Sequence, residues 1–119
     1  MDHTPPPLAL TDALRLPLPE GRRSAEAFRD GDLEVRMAAS PGRGPQVPHD
    51  RDELYIVVAG SGHYRVGDTV TAVGIGDLLF AAAHAPHGFE DCTDDFSVWV
   101  IFYGPQKQAP GPPGQRRSP

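Results

Sequence analysis

Two imidazoles and a carboxylate, those of His49, Glu53 and His87, are the side chains of this sequence whose types and spacing suit shared chemistry. The first two lie in PQVPHDRDELYIVVAGSG and the third in GDLLFAAAHAPHGFED, with a glycine-punctuated, strand-like stretch between them. Side chains alternate along a strand with a period of two, so an extended backbone puts His49 and Glu53 on one face. A histidine brought in from elsewhere completes a set of two nitrogens and one oxygen. Such a set leaves coordination positions open to water, substrate or dioxygen. It is the ligand set of many non-haem iron sites and also suits zinc or manganese.

The elements that must bring these residues together are strands. Between about Ala27 and Tyr103 the chain breaks into the short runs LEVRMA, ELYIVVA, HYRV, TVTAV, DLLFA, HGFEDC and FSVWVIFY. Turn signals separate them at Gly60–Gly62, Gly67–Asp68, Gly74–Gly76 and Thr93–Asp95. No useful helical period occurs among them, so the pattern predicts an all-β sandwich or small barrel. In FSVWVIFY, Phe96, Val98, Val100 and Phe102 alternate with Trp99, Ile101 and Tyr103, so both faces are apolar. A strand of that kind is expected to be covered on both sides, by the barrel interior and by a second sheet or partner subunit. Outside this region, TDALRL and SAEAF are each expected to make a short helical turn.

Three segments follow: a proline-rich, partly ordered N-terminal stretch (1–26), a barrel domain (27–104) and a disordered proline- and glycine-rich tail (105–119). The 119 residues are expected to form one domain, whose small core would gain from dimerisation. A net charge of −5 with scattered arginines, including the short GRR at 21–23, argues against nucleic acid or an anionic membrane as partner. Cys92 is the single cysteine, which excludes an internal disulfide and a multi-cysteine zinc site. The opening MDHTPPPLAL does not read as a secretory signal, and no apolar run approaches the roughly 20 residues of a membrane span. A cytoplasmic protein is expected.

The two motif segments resemble those of the cupin superfamily, small jelly-roll β-barrels, and within it a small single-domain cupin of the cupin 2 conserved-barrel type. In that family's first motif, two histidines one residue apart precede a glutamate and then a glycine; His49, Glu53 and Gly60 fill the last three places and Val47 replaces the first histidine. In the second motif Gly76, Asp77, His87 and Phe89 match, while Ala82 and His84 stand where proline and glycine are usual. The resemblance covers roughly residues 33–104. It implies an all-β jelly-roll (cupin) barrel, with His49, Glu53 and His87 as the three surviving ligands of one divalent metal: iron, zinc or manganese. Val47 would then open a coordination position in the pocket. Cupins include oxygenases, isomerases, lyases, binding domains and storage proteins, so the fold leaves the chemistry open.

Within that frame Tyr55 and Phe89 share the parity of Glu53 and His87 and are expected to line the pocket with Val47. His84 is an additional candidate ligand or acid/base group, against the simpler reading of a loop histidine that tolerates positive φ. His63 and Arg65 are expected on the outer face. Asp91 shares the parity of His87 and would face inward, whereas Asp52 would face solvent or cap a turn. Arg36 is expected to be exposed, opposite an inward Leu33, Val35 and Met37 stripe; an inward Arg36 would favour an anionic substrate. The expected function is metal-assisted chemistry, oxygenase-like or isomerase/lyase-like, on a small organic molecule by a homodimer. The alternative is a non-catalytic, metal-free ligand-binding or accessory barrel.

Overall fold

The computed structural model describes residues 4–39, 44–46 and 49–108. Val47 and residues 109–119 of the expected tail lie outside these. After a four-residue helix, α1 (Leu10–Ala13), the described residues contain nine strands: β1 (Ala25–Asp30), β2 (Leu33–Ala39), β3 (Gly44–Gln46), β4 (Asp52–Ala59), β5 (Ser61–Val66), β6 (Thr69–Gly74), β7 (Leu78–Ala81), β8 (His87–Glu90) and β9 (Ser97–Tyr103). They build two antiparallel sheets, one of five strands in the order β1-β2-β9-β4-β7 and one of four in the order β3-β8-β5-β6. Successive strands from β2 onward mostly change sheets, and the two inner faces share one core. This is the jelly-roll barrel.

The core follows from strand parity. Tyr55 and Val57 from β4, Val98 and Val100 from β9, and Tyr64 and Phe89 from the opposite sheet turn inward and are buried. Phe89 sits at the centre, its ring 5.1 Å from Tyr55, 5.4 Å from Tyr64 and 5.0 Å from Phe96. Trp99, Ile101 and Tyr103 point to the other face. Three cross-strand rows connect β2, β9 and β4 on the inner side: Glu34–Phe102–Glu53, Arg36–Val100–Tyr55 and Ala38–Val98–Val57.

Two expectations need correction. SAEAF is not helical: Ala25 to Asp30 pair with β2 from Met37 to Leu33, so an edge-strand partner outweighs the weak local helix propensity. The inward set of β2 is Glu34, Arg36 and Ala38 rather than Leu33, Val35 and Met37. Arg36 is therefore buried, at 5% exposure. Opposite charge makes this arrangement tolerable, because Arg36 Nη1 lies 2.9 Å from Glu34 Oε2.

Gly60 stands where the chain leaves the five-stranded sheet and enters the other, at φ +72°. A Cβ there would collide with the Thr93 side chain and lie 2.8 Å from Phe96 Cα. Positive φ and the collision act together, so Gly60→Ala is expected to lower unfolding free energy by about 1–3 kcal/mol, measurable as a shifted urea midpoint.

Candidate metal centre

His49 and Glu53 are not on one extended strand. Glu53 is the second residue of β4, whereas His49 lies just ahead of it, before the bend at 50–51. The loop is held from two sides. His84 N–H donates to the His49 carbonyl at 2.6 Å, and Lys107 N–H donates to the Asp50 carbonyl at 2.6 Å. Asp52 caps the neighbouring turn by accepting from Ala83 N–H at 2.9 Å, and its other oxygen lies 2.6 Å from Lys107 Nζ. The Phe102 ring meets the His49 ring edge to face at 5.0 Å.

The donor atoms of His49, Glu53 and His87 all fall within 4.8 Å of one another. Glu53 and His87 are almost fully buried, while the His49 side chain is 42% exposed. His87 Nδ1–H donates to the Ala85 carbonyl at 2.8 Å, which leaves Nε2 as the atom facing the site. Tyr55 Oη lies 2.9 Å from Nε2, and Glu53 Oε1 lies 2.8 Å from it. Neither Glu53 oxygen is satisfied by a hydrogen bond while His87 is neutral, and a protonated His87 Nε2 would donate to Oε1. A neutral imidazole would thus aim a lone pair at a buried carboxylate oxygen, which is repulsive unless a positive species lies there. Burial alone would lower the His87 pKa, but Glu53 and the Ala85 carbonyl together raise it above its ordinary value, so a proton can fill that role.

A divalent cation fits the same place. Two ligands bound at right angles at about 2.1 Å lie about 3 Å apart, close to the spacing of Oε1 and Nε2. His49 is 4.0 Å from Oε1, and its exposed position gives it room to close on an ion. Burial, followed by the Glu53 charge, raises the Tyr55 phenol far above its ordinary range, so its hydroxyl stays protonated. The same causes push Tyr64 up to about 12.

His49 and Glu53 line a cavity of about 320 Å³, together with Tyr55, Phe89, Val98, Val100 and Phe102, and His87 lies behind Glu53 and Tyr55. His84 is not in the cluster: its Nε2 contacts the Lys107 carbonyl at 2.6 Å, and its φ is +67°. Asp91 is exposed, at φ +50°, rather than inward, because the chain turns at the end of β8. His63 and Arg65 lie outside the core, with Arg65 paired to Glu90 at 3.1 Å.

Sequence reasoning did not single out Glu34, Ser24 or Arg51 as neighbours of this pocket. Arg36, itself lining the cavity, is fixed by three contacts: Nε to Ser24 Oγ at 2.7 Å, Nη2 to the Ser24 carbonyl at 2.8 Å and Nη1 to Glu34 at 2.9 Å. Arg51 reaches Glu34 at 3.0 Å and lies 5.4 Å from the centre of the Phe102 ring. Only the alternation of charged residues in LEVR hints at this, and alternation does not say which set is inside.

Burial alone would raise the Glu34 carboxyl pKa, but Arg36, Arg29 and Arg51 outweigh it and hold the pKa below 4.5. A depressed folded-state pKa contributes stability above the unfolded value and loses it as pH falls through the folded one. Urea unfolding is therefore expected to show falling stability below about pH 4.5, with a shallower decline in Glu34→Gln.

Residues 33–103 match the cupin domain family, and the chain belongs to it. The uncharacterized protein SCO3923 of Streptomyces coelicolor is 36% identical over 103 residues, covering 68% of this chain and 98% of that protein. A double-stranded β-helix domain protein of Klebsiella pneumoniae superposes with a TM-score of 0.66 at 16% identity, over 84% of this chain and 90% of the other. Co(II) HppE in complex with substrate gives a TM-score of 0.58 at 16% identity, over 74% of this chain and 57% of the other. At these identities the structural likenesses establish the barrel alone.

Proposed function

We propose that this cupin binds one divalent metal through His49, Glu53 and His87 and uses it on a small organic substrate held in the adjoining cavity. The observation that carries the reading is the convergence on Glu53: a buried carboxylate whose Oε1 lies 2.8 Å from His87 Nε2 and 4.0 Å from His49 Nε2, with the three donor atoms within 4.8 Å of one another. A buried carboxylate is costly without a positive partner, and a divalent metal held by all three side chains supplies one. HppE, a barrel of similar fold, is a cobalt-bound protein with a substrate.

When bound, the metal would supply Lewis acidity to a substrate oxygen, or the reactivity of dioxygen, in oxygenase-like or isomerase/lyase-like chemistry. The Ala85 carbonyl fixes the imidazole tautomer of His87 and so presents Nε2 to the site. Tyr55 Oη, kept protonated by its surroundings, is placed to donate a hydrogen bond to an oxygen at the site. Val98, Val100 and Phe102 provide the apolar wall that excludes water.

The test is metal analysis of protein purified without chelator and after reconstitution with iron, zinc or manganese. One ion per chain, with loss in His87→Ala, is the expected result; no uptake of any of the three would overturn the reading. Oxygen consumption and product analysis with enols and diketones then separate oxygenase from isomerase or lyase chemistry, and from a barrel that only binds.

A homodimer is part of the same proposal. The outer face of the five-stranded sheet carries Leu54, Ile56, Leu78, Phe80, Trp99 and Ile101, with Leu78 64% and Phe80 49% exposed. An apolar surface of that kind suits a second copy. No helix among the described residues is long and apolar enough to cross a membrane.

A further inference from the structure

We propose that the β2 side of the cavity is an anion subsite built on Arg22 and Arg23, and that the molecule bound there is a small organic acid carrying a carboxylate or phosphate. This deepens the functional reading above and rests on it. GRR at 21–23 is too short to make a nucleic-acid surface. In the fold, however, Gly21, Arg22, Arg23 and Ser24 all line the cavity that contains Glu53 and His49.

Arg36 explains why that segment is there. Ser24 is gripped through both its hydroxyl and its carbonyl by the buried guanidinium of Arg36, which is itself held by Glu34. Arg36 and Tyr55 are both in register with Val100, on the strands flanking β9, so their backbones lie about 10 Å apart. The clamp thus carries the two arginines to one side of the cavity, with the triad on the other side and apolar β9 side chains between.

The charge balance selects the ligand. Arg36 is neutralised by Glu34, and Arg51 and Arg29 share the same carboxylate. Arg22 and Arg23 are exposed and make no side-chain ion pair or hydrogen bond among the described residues. In a chain of net charge −5, two adjacent unpaired guanidiniums at a pocket are a local reversal of sign that draws an anion to the opening. Guanidinium forks fit carboxylate and phosphate oxygens, and each bond to such an anion is charge-assisted. The cavity of about 320 Å³ is near the lower end of ligand-pocket volumes and suits a molecule with one ring or a short chain. Its anionic group would sit at Arg22 and Arg23, its apolar body on Val98 and Val100, and its reacting oxygen at the triad.

The test compares three probes of similar apolar size on the intact chain by calorimetry: phenylpyruvate, phenyl phosphate and the neutral ketone phenylacetone. Each is titrated into metal-loaded and metal-free protein. At least one anion is expected to bind about tenfold or more tighter than the ketone, with an advantage that shrinks as salt is raised. Which anion wins distinguishes carboxylate from phosphate recognition. The Arg22→Ala/Arg23→Ala double variant is expected to lose that advantage while keeping its unfolding midpoint and its metal content. Equal affinity for anion and ketone, an unchanged preference in the double variant, or no anion binding at millimolar concentration would each overturn the subsite. The two readings fail separately: a charge preference that persists in protein unable to take up metal leaves the subsite standing without the metal, and stoichiometric metal without charge preference removes the subsite alone.

Discussion

Glu53→Gln is expected to cut metal affinity by about 100-fold or more, and at the same time to leave the metal-free protein as stable as the parent or more so. The first effect follows from removing the only anionic ligand of the three; disturbing groups merely behind a ligand already costs about 10–100-fold. The second follows from the orphaned oxygens. An amide of the same shape carries no charge to desolvate, and its N–H can donate to His87 Nε2, which the carboxylate faces at 2.8 Å. If Glu53 instead served only as a structural partner for protonated His87, the same change would break a buried ion pair and destabilise by about 3–5 kcal/mol. Metal titration and urea unfolding, run on the same parent and variant preparations, separate the two. Stability lost with no metal bound by the parent would reject a metal centre.

Phe89→Ala carries the largest expected cost to folding. The ring is fully buried at the meeting point of both sheets, within about 5 Å of Tyr55, Tyr64 and Phe96, and nothing nearby is free to fill the space it leaves. Such truncations cost about 3–5 kcal/mol, a large share of the 5–15 kcal/mol that holds a domain of this kind together. The urea midpoint should fall by about 2 M, and Phe89→Leu, which keeps most of the volume, should fall by less. Tyr55 packs on Phe89 and bonds His87, so the alanine variant should also bind metal more weakly where it still folds. An unchanged midpoint would show that the two sheets do not close on this ring.

Much of the barrel is readable before folding. Strands at LEVRMA, ELYIVVA, HYRV, TVTAV, DLLFA and FSVWVIFY are set by period-two patterning and by glycine turns, both local properties that act within a few residues. The triad is readable too, as residue types at suggestive spacings. Its convergence is a different matter. His49 reaches Glu53 through a bend rather than along a strand, and the bend is held by His84 and Lys107, which are far away in sequence.

What the sequence by itself determined is therefore the strand pattern, the cupin motifs and the residue types of a candidate metal site. What only the tertiary structure decided is which side of β2 looks inward, and with it the character of the pocket. Alternation in LEVRM defines two faces without saying which is buried, and hydrophobicity alone picks the wrong one. Glu34 and Arg36 can turn inward because Ser24, Arg29 and Arg51 converge on them from other parts of the chain, neutralising charge and satisfying hydrogen bonds. That compensation is a property of three-dimensional proximity, and it also carries Arg22 and Arg23 to the cavity.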